Sequence, residues 1–227
     1  MKKKDFIFII GVILFFIPFF IFDFVSGFYT EFNQTIIMSF VKFAVLATLG
    51  EVIGLRISLG VYNRKGFGII PKMIVWGFLG ILIHFAFIIF ASGTPNVLKD
   101  LCLNLSSKNA GIELLKAFSI STFINIIFAP VMMTVHKISD EHIKMTGGTL
   151  KGFFSKVKIS DIFVNLNWKV MWNFVFKKTI PYFWIPAHTI TFMLAPQYRV
   201  LMAAVLGIVL GIILAFAASK PDEKIKN

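Results

Sequence analysis

The sequence predicts an all-α fold, a polytopic transmembrane helical bundle of about five to six spans with one interfacial amphipathic helix. Of the 227 residues, 57% are hydrophobic and 28 are Phe, and the mean hydropathy is +0.83. One water-soluble core of this size cannot hide so much apolar surface, so lipid must solvate the rest. The apolar runs are long and unbroken rather than alternating, which favours helices over a barrel.

The first apolar run predicts an N-terminal membrane anchor and a short external loop, together residues 1–34. The run covers residues 6–22, extends to about residue 28, and follows three lysines. A signal peptide is the alternative, but the apolar core of a signal is usually only ~7–15 residues long. Val25-Ser26-Gly27 offers only a weak cleavage site, so we favour a retained anchor.

The main bundle is predicted over residues 35–219, with a polar tail at 220–227. Runs at 35–61, 69–91 and 112–135 are each long enough for a span. A polar loop that holds Pro95 and Lys99 is expected between the last two runs, and Pro130 is expected to break the last one. Region 180–219 is interrupted by Pro181, Pro186 and the polar island at 196–199, and whether it makes one span or two is left open. The segment from Pro181 to Pro196 is expected to supply non-helical backbone beside the polar route.

Residues 137–178 form a basic segment with eight lysines. Ser160 is a plausible N-cap, and apolar residues recur at helical spacing as far as Phe174. This pattern predicts an amphipathic helix at the membrane interface, over 160–176. A peripheral helix packed on the bundle is the alternative.

The formal net charge of +12 indicates membrane topology rather than nucleic-acid binding. The Lys and Arg residues stand in short blocks between apolar runs, and these blocks predict a cytoplasmic N-terminus and cytoplasmic basic loops. The Lys-rich start favours a bacterial plasma membrane, with an organellar membrane as the alternative. Cys102 is the single cysteine, which rules out an intramolecular disulfide and a multi-cysteine metal site.

Glu51 and Arg56 lie inside a predicted span, where an ionised group costs at least about 2.5–3.5 kcal/mol unless it is paired or hydrated. Five residues apart on one helix, the two side chains point about 140° away from each other, so each needs another partner. With His84 and Arg199 they form our hypothesis of a polar route or gate through the bundle. The alternatives are a buried ion pair between helices and a hydrogen-bonded core histidine.

No enzyme, metal site or cofactor is predicted. The remaining histidines share no ligand spacing with His84 or with one another. The segment 147–152 lacks the residue order of a phosphate-binding loop, and there is no nucleophile elbow. Two helices carry stripes of small residues that predict close helix packing, in this chain or in a homo-oligomer. These stripes are Ala47, Gly50, Gly54 and Ser58, and Ala203, Gly207, Gly211 and Ala215.

Four motifs occur in the order that is typical of one membrane-protein family. They are Gly50-Glu51, Gly80 with His84 and Phe87, Phe128-Ala129-Pro130, and Trp184-Ile185-Pro186 leading through Phe192 to Pro196-Gln197-Tyr198-Arg199. In this order the chain resembles the Mpv-type family of peroxisomal and mitochondrial inner-membrane proteins. The departures include Thr191 in place of an Asn and Ile81 in place of a Pro. The resemblance implies a small channel-like bundle and no enzyme.

Two function classes follow from these features. The first is a channel or pore for small solutes. The second is a non-conducting structural or interaction protein that acts in membrane homeostasis through its basic loop, with anionic lipids among its partners. About 1 kcal/mol per basic residue near an anionic surface supports the second class.

Overall fold

The structure is a computed structural model, and it describes four parts of the chain: Asp5, Ile10, 36–101 and 109–219. The predicted anchor, apart from Asp5 and Ile10, lies outside the described residues, as do Cys102 and the tail at 220–227. The described residues form helices and connecting turns without any strand, which confirms the all-α prediction.

Seven helices follow one another in the described part of the chain. They are α1 (Ile36–Leu59), α2 (Ile69–Asp100), α3 (Ala110–Met145), α4 (Leu150–Phe153), α5 (Ile159–Asn165), α6 (168–193) and α7 (Pro196–Ser219). Helices α1, α2, α3 and α7 are long and apolar enough to cross a membrane. The chain is therefore a multi-pass integral membrane protein.

Prolines interrupt the helices less than the sequence predicts. Helix α3 continues through Pro130 because a wider π turn, Ile124–Phe128, precedes it and relieves the clash between the proline ring and the preceding turn. Helix α2 likewise runs through Pro95 to Asp100, where a polar loop was expected.

The basic segment at 137–178 is divided differently from the prediction. Its first residues are the last turns of α3, and the predicted amphipathic helix at 160–176 is broken after Asn165. The side chain of Asn167 accepts a hydrogen bond from the Val170 backbone and so begins a new helix, α6.

Helix α6 corrects the expectation of irregular backbone between Pro181 and Pro196. It contains a long π-helical part, Met171–Trp184, and returns to α-helix at Ile185–Met193. Only Leu194 and Ala195 separate it from α7. The 180–219 region thus contains the end of one helix and one complete apolar helix.

The two stripes of small residues pack against each other within one chain. A Cβ built on Gly50 would lie 2.9 Å from the Ile208 Cα, and one built on Gly211 would lie 3.1 Å from the Gly50 carbonyl oxygen. Lipid gives no hydrophobic force between helices, so this close approach of α1 and α7 supplies the packing that holds them together.

We expect Gly50→Ala to destabilise the bundle by about 1–3 kcal/mol, because the new methyl group meets backbone that cannot rotate away. Gly54→Ala is the matched control on the same stripe: its Cβ would lie 3.5 Å from the Gly211 carbonyl oxygen, an ordinary contact. Chemical unfolding of both variants in detergent micelles measures the difference. Equal stability of the two variants would contradict this helix crossing.

Contacts at one end of the bundle bring the basic segments together. Arg56 Nε donates to Asp5 Oδ1 at 2.7 Å, and the Tyr62 hydroxyl donates to the same oxygen at 2.7 Å. Partial burial, and next this hydrogen bond, raise the pKa of Tyr62. A Cβ built on Gly148 would lie 2.8 Å from the carbonyl carbon of Gly66, so the turns before α2 and after α3 are in contact. We call this end of the bundle, where Arg56, Tyr62, Gly66 and Gly148 lie, the basic-loop end.

Candidate functional site

Helices α1, α2, α3, α6 and α7 line a half-open cavity of about 760 Å³. Its volume lies in the range of cavities that hold small organic molecules, roughly 300–1,000 Å³. Most of its wall is apolar, with Phe43, Phe87 and Met132 among the lining residues. Its polar side chains are concentrated in two places.

The first polar group is a charged cluster, which we define as Glu51, Lys72, Trp76, His136 and Asp140. All of these line the cavity except Lys72, which contacts two of them. Lys72 Nζ lies 2.6 Å from Glu51 Oε2 and also donates to Asp140 Oδ1. Trp76 Nε1 donates to Glu51 Oε1 at 2.7 Å, and His136 Nε2 lies 3.3 Å from that oxygen. Three helices are thus joined through one ammonium group.

Helical spacing explains how these side chains converge. Lys72 and Trp76 are four residues apart on α2, and His136 and Asp140 are four apart on α3, so each pair lies on one helix face. Glu51 on α1 meets both pairs. The carboxylates are balanced by Lys72 and by Lys137, whose Nζ lies 3.0 Å from Asp140 Oδ2. Such pairing is what makes charges tolerable at this depth.

Three members of the cluster have the geometry of metal ligands. The ligand atoms of Glu51, His136 and Asp140 lie within 4.8 Å of one another. The Lys72 ammonium contacts both of these carboxylates and already supplies the positive charge that they require. We therefore interpret the cluster as an ion-pair network between helices.

The four predicted route residues do not meet in one place. Glu51 lines the cavity, whereas Arg56, His84 and Arg199 are not among its lining residues. Arg56 pairs with Asp5, and His84 Nδ1 lies 3.0 Å from Ser39 Oγ. These two side chains therefore have partners elsewhere in the bundle.

The Arg199 side chain caps the C-terminal end of α6. Its Nε donates to the Leu194 carbonyl oxygen at 3.0 Å, and its guanidinium also donates to the Phe192 carbonyl oxygen at 3.2 Å. The guanidinium lies over the Phe192 ring. These bonds satisfy carbonyls that the end of a helix leaves free.

Of the other motif residues, Trp184 lines the cavity, Pro186 lies in the first α-helical turn after it, Pro196 begins α7, and Tyr198 is exposed.

The second polar group is Asn125, Trp184 and His188, at the other end of the cavity. Asn125 Nδ2 donates to the Ser121 carbonyl oxygen at 2.8 Å and lies 3.0 Å from His188 Nδ1. The ring of His188 also packs against those of Trp184 and Phe87, with centroids 5.0 Å and 5.6 Å away. The π parts of α3 and α6 supply Asn125 and Trp184.

Lys72, His136, Asp140, Asn125 and His188 were missed as site residues. One signal was available in the sequence: polar pairs four residues apart beside or within apolar runs, as at Lys72 and Trp76 or at Ser121 and Asn125. Their convergence depends on packing between helices that are distant in sequence.

No protein-family model, curated protein or solved structure matches the chain.

Proposed function

We propose that the protein is a channel for small solutes, with the cavity as its path and the charged cluster as its gate at the basic-loop end. The observation that carries this proposal is a cavity inside the bundle, bordered at one end by an ion-pair network that joins three helices. A merely structural ion pair needs no cavity of this volume beside it.

The charged cluster has the properties of a gate. Lys72 bonds to Glu51 on α1 and to Asp140 on α3, so any separation of these helices must exchange its partners. The cluster carries equal numbers of carboxylate and ammonium groups when Lys137 is included. Exchanging partners within a balanced network costs less than exposing one unpaired charge to the membrane.

Aromatic side chains line the opposite end of the cavity, and in this proposal they form its second barrier. Phe43 and Phe87 line the cavity and are only 3% and 4% exposed. Phe87 packs on Phe192, with ring centroids 5.0 Å apart. A hydrophobic constriction of this kind stops conduction by excluding water, and it opens when the rings separate.

The resemblance to the Mpv-type family supports the same proposal. Two of the motif residues that suggested it, Glu51 and Trp184, line the cavity at its two polar groups. In this proposal the family's channel-like character and the observed cavity describe the same path.

Solute release from liposomes tests the proposal. We expect purified protein to release small encapsulated solutes, and we expect Glu51→Gln to change the rate at least about threefold, because the variant removes one charge from the gate. Glu113→Gln is the matched control, since Glu113 is an exposed carboxylate whose one ion pair among the described residues is with Lys116. Folded protein that releases nothing would favour the non-conducting alternative, and a Glu51→Gln rate equal to that of Glu113→Gln would reject the charged cluster as the gate.

A further inference from the structure

The polar group formed by Asn125, Trp184 and His188 has a different chemistry from the charged cluster. Along α3, Asn125 is eleven residue positions before His136 of the cluster, about 16 Å of helix. Asn125 is 1% exposed and Trp184 is 8% exposed. No charged side chain is among the hydrogen-bond partners of these three residues in the described part of the chain. This end of the cavity is therefore polar and uncharged.

The hydrogen bonds of Asn125 assign the proton on His188. The Asn125 amide nitrogen donates one hydrogen to the Ser121 carbonyl oxygen and the other to His188 Nδ1. His188 Nδ1 therefore accepts, and the neutral imidazole carries its proton on Nε2. His188 keeps accessible surface although it lies deep in the bundle, because it faces the cavity. Its Nε2–H is a donor on the cavity wall.

Two further polar atoms of this group lack partners. Asn125 Oδ1 and Trp184 Nε1 are buried and have no hydrogen-bond partner among the described residues. Buried polar atoms in folded proteins are nearly always hydrogen-bonded, so each such exception needs an explanation. Here one acceptor and one donor without partners belong to residues that line the same cavity as His188. Together they offer two N–H donors and one carbonyl acceptor.

We propose that this end of the cavity binds the hydroxyl group of a neutral amphiphilic alcohol. A hydroxyl accepts from two N–H donors and donates to one carbonyl oxygen, which matches these three atoms. A carboxylate or ammonium group would find no opposite charge here and would lose its hydration. The apolar walls, which include Phe87, Ile124 and Phe128, suit the hydrocarbon body of such a molecule.

Access to the two buried atoms requires small side-chain rotations. Both atoms are covered by neighbouring groups, so the proposal requires the Asn125 amide and the Trp184 indole to turn toward the cavity that they line. The inference deepens the proposed function by naming the class of solute, and it rests on that function in taking the cavity as the path of the solute. The binding site itself is measurable without any flux.

Photolabelling with matched probes tests the inference. The probe is a medium-chain alkanol that carries a diazirine on its chain, and its methyl ether is the control, since the ether cannot donate a hydrogen bond. We expect the alcohol to label peptides that contain 124–128 and 184–188, and the ether to label them about threefold to tenfold less.

Two variants examine the hydrogen bonds one at a time. Trp184→Phe removes an N–H that has no partner among the described residues, so we expect labelling to fall about threefold to tenfold, with a loss of thermal stability that reflects only the smaller ring packed on His188. Asn125→Leu should also reduce labelling, with some loss of stability because Asn125 bonds Ser121 and His188. Thr48→Val is the matched control: Thr48 Oγ1 is also buried and without a partner among the described residues, but Thr48 does not line the cavity.

Equal labelling by the alcohol and the ether, or undiminished labelling of Trp184→Phe, would overturn the inference and leave water as the partner of these atoms. Loss of labelling in Thr48→Val to the same extent would overturn it as well. Alcohol-specific labelling of protein that shows no solute release would retain the binding site and reject the channel. Solute release without alcohol-specific labelling would retain the channel and reject this site.

Discussion

Lys72→Met is expected to lower the free energy of unfolding by about 3–5 kcal/mol, because it leaves two largely buried carboxylates without their shared cation. Lys72 Nζ contacts both Glu51 and Asp140, and only 9% of its side chain is exposed. After the substitution Glu51 would retain Trp76 and His136, and Asp140 would retain Lys137. These remaining partners offset only part of the loss.

A matched control separates this effect from the loss of a surface charge. Lys116 also contacts one carboxylate, Glu113, at 2.8 Å, but 53% of the Glu113 side chain is exposed. We therefore expect Lys116→Met to cost no more than about 1 kcal/mol. Chemical unfolding in mixed micelles measures both variants under the same conditions.

A double variant tests whether the cost arises from the ion pair itself. Glu51→Gln combined with Lys72→Met removes both partners of the 2.6 Å contact. We expect the double variant to be more stable than the sum of the two single effects predicts, by about 0.5–3 kcal/mol, as coupled residues in one network show. Strict additivity, or a Lys72→Met cost as small as that of Lys116→Met, would contradict the interhelical network.

The membrane-bundle fold could be predicted from the sequence because hydropathy is a local property. Helix α1 was predicted over 35–61 and is observed at Ile36–Leu59, since polar residues flank a run that is apolar apart from Lys42, Glu51 and Arg56. The ends of α2 and α3 were predicted less well. Helix α3 extends ten residues beyond Val135, to Met145, through a charged stretch that hydropathy cannot distinguish from a loop.

The partners within the cavity could not be predicted because they depend on how distant segments pack. The sequence indicated that Glu51 needs a partner at membrane depth, and the structure supplies Lys72, Trp76 and His136. In the sequence Lys72 stands with Arg64 and Lys65 in a basic block between two apolar runs, which predicts a cytoplasmic loop. Lys72 lies in the first turn of α2, where a side chain can point inward to the bundle or outward to the interface.

The positions of the other predicted route residues also depend on packing that the sequence does not reveal. His84 lies in an apolar run, as a gating histidine would, but it is placed beside Ser39 rather than in the cavity. Arg199 follows a helix break that the sequence predicts, and its guanidinium donates hydrogen bonds to the carbonyl oxygens at that break. Sequence identified which side chains need partners, whereas packing decides which partners they obtain.

The most direct test of the cavity as a conducting path is thiol block at Met132→Cys. Met132 lines the cavity, whereas the adjacent Val131 does not line it and is 62% exposed on the outer surface of the bundle. The two positions are therefore neighbours on α3, but Met132 faces the cavity and Val131 faces the outer surface. Replacing Cys102 with Ser removes the native thiol from the background.

The measurement is solute release before and after a water-soluble, cationic methanethiosulfonate reagent is added. We expect modification of Met132→Cys to reduce release at least about tenfold, because the attached group fills the path, and modification of Val131→Cys to leave release unchanged. Release that persists at Met132→Cys after complete modification, confirmed by mass spectrometry, would contradict the claim that solutes pass through this cavity.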